Sequence, residues 1–123
     1  IPSKLFQSST CMISDWSGIS LEYAFTFERP VIYIDVPKKI LNPNSEKILV
    51  KPIEITIRNK VGHVIHPTKI EEIPNLITSL NKNEKDSKKI KDICSETVYN
   101  VGKSATIGAQ YIQQLNRELS MKN

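Results

Sequence analysis

Cysteine is scarce in this chain of 123 residues. Cys11 and Cys94 lie far apart, with no CxxC or comparable metal-ligand spacing, so buried reduced thiols in a cytoplasmic protein are the expectation. Aromatic residues make up only 7%, there is no arginine-rich tract, and basic and aromatic residues do not interleave. That composition argues against nucleic acid as a partner. With 17 basic and 13 acidic residues the net charge is +4, which predicts no more than a diffuse attraction to anions. No apolar run approaches the length of a membrane-spanning helix, no signal peptide is visible, and no internal repeat or low-complexity segment stands out. His63 and His66 stand three apart in a stretch that reads as strand, so they point to opposite faces, and no neighbouring cysteine or carboxylate completes a metal set. Gly102-Lys103-Ser104 ends like a phosphate-binding loop, but Thr97 stands where that loop needs glycine and no apolar strand precedes it. No metal and no cofactor are therefore expected.

Residues 11–30 organise what is present. A short apolar run, Cys11-Met12-Ile13, is followed by Ser14, Asp15, Ser17 and Gly18 and then by an amphipathic stretch from Ile19. Arg29-Pro30 stops that helix and Val31-Ile32-Tyr33-Ile34 supplies a second buried strand, so the pattern predicts one βαβ unit. Both strands are apolar enough to be central in a parallel sheet. Ser17 is the expected N-cap, with Trp16 before it packing on Leu21 as a staple. With Gly18 first in the helix, no side chain keeps an anion from the free backbone N–H groups. Glu22, one turn deeper on the same face, is placed to accept hydrogen bonds from two vicinal sugar hydroxyls. Phosphate at the turn and ribose at Glu22 together describe a nucleotide. The same residues also serve as ordinary helix caps and solvated side chains, and spacing alone leaves both readings open.

Ser14-Asp15-Trp16-Ser17-Gly18, with Glu22-Tyr23-Ala24 and Arg29-Pro30-Val31-Ile32-Tyr33-Ile34-Asp35, resembles the Ser-Asp-x-Ser-Ser segment, with its later Ala and Pro, of the CDP-glycerol glycerophosphotransferases. These are polymerases of teichoic acid and capsule. The spacing from Ser17 to Pro30 is also similar to a segment of the nucleotide-sugar epimerases and glycosyltransferases that share the GT-B fold. The likeness covers about residues 8–36 and returns more weakly at residues 99–104. It implies an α/β fold, specifically the C-terminal half of a Rossmann-like GT-B domain with parallel strands flanked by helices and a helical C-terminal tail. It further implies that Ser14, Asp15, Ser17, Gly18, Ile19, Ser20 and Glu22 hold the donor nucleotide. Thr10 stands where the family usually shows an acidic residue. The family's catalytic histidines would precede Ile1, and His66-Pro67 lies downstream of the motif and does not match them. No catalytic residue is therefore expected within the chain.

A length of 123 residues allows one small domain, and an opening at Ile1 leads us to expect a piece of a longer enzyme. Residues 1–81 read as half of the donor domain and residues 82–123 as C-terminal helices packing on it. Pro37, Pro43 and Pro52 punctuate a loop over residues 38–52 that could flank the ligand. Ile53, Ile55 and Ile57 alternate with polar residues as a strand would, whereas the resemblance places a helix there, and the choice stays open. Residues 61–65 read as a strand. A helix follows from Pro67, with Ile70, Ile73, Leu76, Ile77 and Leu80 as its core face. Residues 81–91 are lysine-rich, and Ile90, Ile93, Cys94 and Val98 give this stretch and its continuation a thin apolar stripe, as in a docked surface helix. A last helix runs from about Ser104 to Leu119.

Function is thus expected to be donor binding for transfer of glycerophosphate from a CDP-linked donor to a polymer acceptor. The acceptor would be held by a missing N-terminal domain, and the enzyme would lie peripherally on the inner face of the cytoplasmic membrane. Two alternatives remain. One is a GT-B nucleotide-sugar glycosyltransferase or epimerase. The other is a non-catalytic module that binds a protein or an anionic membrane through residues 82–91. The missing half of the sheet would expose edges at Ile13 and Ile34, through which two copies could pair.

Overall fold

The computed structural model describes residues 3–38, 42, 44, 47–80 and 84–121. Much of the loop at 38–52, including Pro43, and Lys82 at the head of the lysine-rich stretch lie outside them. The chain divides into two compact units, Ile1–Ile93 and Cys94–Asn123.

In the first unit the order is α1 (Ser3–Ser8), β1 (Met12–Ser14), α2 (Ile19–Phe27), β2 (Val31–Ile34), α3 (Ile53–Val61) and β3 (Gly62–Ile65). A 3-10 turn (Pro67–Glu72), α4 (Ile73–Leu80) and most of α5 (Glu84–Thr97) follow. The three strands are parallel in the order β1-β2-β3, with Met12 opposite Val31 and Val31 opposite Gly62. The architecture is therefore mixed α/β, a parallel sheet flanked by helices.

Side chains alternate across the central strand and divide the core in two. Val31 and Tyr33 face Tyr23 and Ala24 of α2, Ile57 and Val61 of α3 and Ile90 of α5. Ile32 faces the other way, onto Ile73 and Leu80 of α4, with Leu76 and Ile77 packed alongside. Only β2 is central, because β3 pairs along its far side and covers Ile34. β1 is an edge strand, with Ile13 51% exposed, which corrects the expectation that β1 and β2 are both central. Among the described residues the free edges are those of β1 and β3, so Ile34 does not mark one.

The open choice at Ile53–Ile57 resolves as helix. Ile57, Arg58 and Val61 are buried at helical spacing while Ile53 and Ile55 stay exposed, so the alternation does not correspond to two strand faces. In the next helical segment Ile70 is 52% exposed rather than part of the core, because it falls in the 3-10 turn. His66 caps that turn: its Nδ1 meets both the Thr68 hydroxyl and the Thr68 N–H. Pro74 sits in the first turn of α4, where its missing N–H breaks no helical bond.

Arg29 does more than end α2. Its Nη1 donates to the carbonyls of Phe6 and Gln7, at 3.1 and 2.7 Å, and to that of Ser9, capping the C-terminal end of α1. Phe6 in turn packs edge-on against Tyr23 and Phe27. Arg29→Met is expected to cost about 2 kcal/mol, the size of charge-assisted bonds lost from partly buried carbonyls. Urea denaturation would show this, and a loss below about 0.5 kcal/mol would mean that α1 is held by its aromatic contacts alone.

The second unit comprises the end of α5 and α6 (Ser104–Ser120). Gly102 has φ +74, a left-handed conformation that suits glycine, and it turns the chain into α6. That conformation accounts for the glycine of Gly102-Lys103-Ser104 without a phosphate. The apolar stripe of α6, including Tyr111, Ile112 and Leu119, is exposed.

Candidate functional site

β1 ends at Ser14, and the chain then turns at the carboxyl edge of the sheet, where open parallel sheets bind ligands. The Asp15 carboxylate accepts a hydrogen bond from the Ser17 N–H at 3.0 Å and so shapes this turn. α2 begins at Ile19, with Gly18 at the N-cap position and no side chain bonded there, so Ser17 is not the cap that its residue type suggested. The Ser17 carbonyl instead accepts from the Ser20 N–H at 3.2 Å and from the Ser20 hydroxyl at 2.7 Å. That inward bond keeps Ser20 buried. Among the described residues no hydrogen bond engages the N–H of Gly18 or Ile19, and both residues are exposed. A Cβ built on Gly18 meets nothing within 4 Å, so the approach to these groups is open. Glu22 lies exposed in the first turn of α2.

Beneath the turn lies a buried cation. Arg58, in the second turn of α3, is 5% exposed, and its side chain runs back toward the N-terminal end of its helix. Its guanidinium stacks on the Trp16 ring at 3.9 Å and stands 5.1 Å from the Tyr33 ring centre. Nη1 bonds Asp35 at 3.1 Å and Nη2 reaches the Ile34 carbonyl at 3.4 Å. The Trp16 indole N–H donates to the Val36 carbonyl at 2.8 Å, which fixes the ring under the guanidinium. Trp16 thus serves as the platform for Arg58, a role that the staple expectation did not include.

Among the described residues, two buried polar groups here have no hydrogen-bond partner: the Arg58 Nε and the Tyr33 hydroxyl. Burial raises the Tyr33 phenol above its ordinary pKa, while nearby Ser20 and the Arg58 charge work in the opposite direction. The phenol therefore stays protonated at neutral pH and can donate. Asp15, Trp16, Ser17, Ser20, Leu21, Tyr33, Glu54 and Arg58 line one narrow cleft with no room for a water molecule. Of the seven residues expected to bind the donor, Asp15, Ser17 and Ser20 line that cleft, and Ser14, Gly18, Ile19 and Glu22 surround the turn outside it.

Arg58 was missed by sequence reasoning because the isoleucine alternation suggested a strand. Read as a helix, the same segment places Arg58 three residues before Val61 and one after Ile57, a basic residue on the apolar face. Such a residue needs a partner or a ligand.

Comparison with protein-family models, curated proteins and solved structures returned no match.

Proposed function

We propose that this chain binds the donor nucleotide of a transferase that moves glycerophosphate from CDP-glycerol to a hydroxyl of a cell-envelope polymer. One observation carries the reading. Arg58 is a buried arginine whose Nε has no partner among the described residues, and it lines the same cleft as the β1–α2 turn at the carboxyl edge of a parallel sheet. An anion at the mouth of that cleft meets the free N–H groups of Gly18 and Ile19, the positive end of the α2 dipole and the charge of Arg58. Asp35, whose side chain is 47% exposed, is the group such an anion displaces from the guanidinium. Glu22 holds the ribose, and the resemblance over residues 8–36 narrows the nucleotide to cytidine.

In the reaction an acceptor hydroxyl attacks the β-phosphate, a base takes its proton and CMP leaves. The chain contributes binding and charge stabilisation, and the base comes from elsewhere in the enzyme. Among the described residues no helix is long and apolar enough to cross a membrane. Peripheral contact with the cytoplasmic membrane is part of the proposal. Leu49, 99% exposed between Ile48 and Val50, is an apolar tip suited to it.

An amide NMR titration with CDP-glycerol, CMP, UDP-glucose and inorganic phosphate tests the reading. Shifts are expected at residues 14–22 and at the Arg58 Nε–H, larger for the cytidine ligands. Gly18→Leu is expected to weaken them about tenfold, because the added side chain covers the free N–H groups while meeting open space in the fold. A well-dispersed spectrum with no shift at these residues, or a Gly18→Leu variant that titrates like the parent, would overturn the proposal. Larger shifts with UDP-glucose would move the assignment to a nucleotide-sugar enzyme.

A further inference from the structure

A cavity of about 670 Å³ lies along the whole of β3. Its volume falls in the range of ligand clefts. β3 is an edge strand, and the Asp35 N–H bonds the Ile65 carbonyl at 2.8 Å, so Ile65 turns its main chain toward β2. By the two-residue period of a parallel ladder, His63 does the same, and Val64 presents its N–H and C=O to the cavity. The walls differ. On the α4 side stand Asn75, Leu76 and Ser79, and on the α3/α5 side Lys60, Lys89 and Ile90, with Asp86 beside them. A shallower groove of about 460 Å³ shares Lys60 and Lys89 and continues past Lys88, with Asp92 on the same wall. Acidic groups in the main cavity are Asp86 and Glu72, and Glu72 is paired with Lys69 at 3.5 Å.

From this placement we infer that the groove receives an extended acidic peptide as a fourth strand. Its main chain pairs with Val64, and alternate side chains point to opposite walls. Those toward α3 and α5 meet lysines and are acidic, and those toward α4 meet Leu76 and are apolar. The recognised pattern is therefore alternating acidic and apolar residues. The site is separate from the β1–α2 turn and does not rest on the nucleotide reading.

The test uses the full chain and a capped octapeptide of alternating valine and glutamate, with its valine-lysine counterpart as control. Binding of the acidic peptide is expected to slow hydrogen exchange of the Val64 amide about tenfold or more. The double variant Lys60→Glu, Lys89→Glu, altered at two exposed positions, is expected to bind it about tenfold more weakly and to gain affinity for the valine-lysine peptide. Exchange at Val64 unchanged under saturating peptide would overturn the added strand. Equal affinity of the parent and the charge-reversed chain would overturn the acidic preference. Inorganic polyphosphate that displaces the peptide while leaving Val64 unprotected would show a plain anion patch and overturn the proposal as well.

Discussion

Gly62→Ala is expected to destabilise the first unit by about 3 kcal/mol, the upper end of what overpacking a well-packed site costs. A Cβ at this position would lie 1.9 Å from the Val31 carbonyl oxygen, 2.8 Å from its carbon and 3.0 Å from the Val31 nitrogen. All three are main-chain atoms of the central strand, so no side chain can rotate away. Relief requires β2 and β3 to move apart at the start of their ladder, where Val31 pairs with Gly62. The backbone itself raises no objection, since φ at Gly62 is −174°, extended and open to any residue. Alanine even gains about 0.5–1 kcal/mol from a less flexible unfolded chain, and the clash outweighs that gain. A thermal melt is expected to show a fall in Tm of about 10 °C or more. A change under about 1 kcal/mol would mean that the two strands approach less closely than described.

Arg58→Met is expected to lower affinity for CDP-glycerol about a hundredfold while changing stability by no more than about 1 kcal/mol. The two effects separate for a structural reason. Methionine replaces the apolar stem between Trp16 and Tyr33, and Asp35, already half exposed, returns to water when its partner goes. No buried charge is left behind. A phosphate bound as proposed would, by contrast, lose its only buried cation among the described residues that line the cleft. Arg58→Lys is expected to recover part of the affinity, because it keeps the charge but loses the flat stacking surface and the Nε donor. Isothermal titration and urea melts on the same three proteins check both halves. Parent-like affinity in the methionine variant, coupled with a stability loss above about 2 kcal/mol, would reduce Arg58 to a tie between α3 and the Asp35 segment.

Signals that act within one turn or one strand were legible before any coordinates. Arg29-Pro30 ends α2 within a few residues, the Met12 and Val31 segments form the parallel pair that their apolar runs suggested, and Ser104–Ser120 follows its helical stripe. The turn at residues 14–20 stood out because serine, aspartate and glycine cluster between a strand and a helix, and it lies at the carboxyl edge of the sheet. Each of these signals lies within one short stretch of chain, although the pairing itself joins strands 19 residues apart.

Other features depend on packing between distant segments, and one chain read alone does not contain them. Whether β1 is central or an edge depends on which strands lie beside it, which its own residues do not encode. Arg58 became part of the site because α3 lays it against Trp16 after the first strand and Asp35 after the second, 23 residues away for the ion pair. The need for glycine at position 62 arises only from the carbonyl of Val31 on the neighbouring strand. Local steric and hydrophobic preferences set most of the elements, whereas at residues 53–57 the local alternation pointed to a strand and a helix forms. The position of the cation and the width of the cleft were decided by how those elements pack.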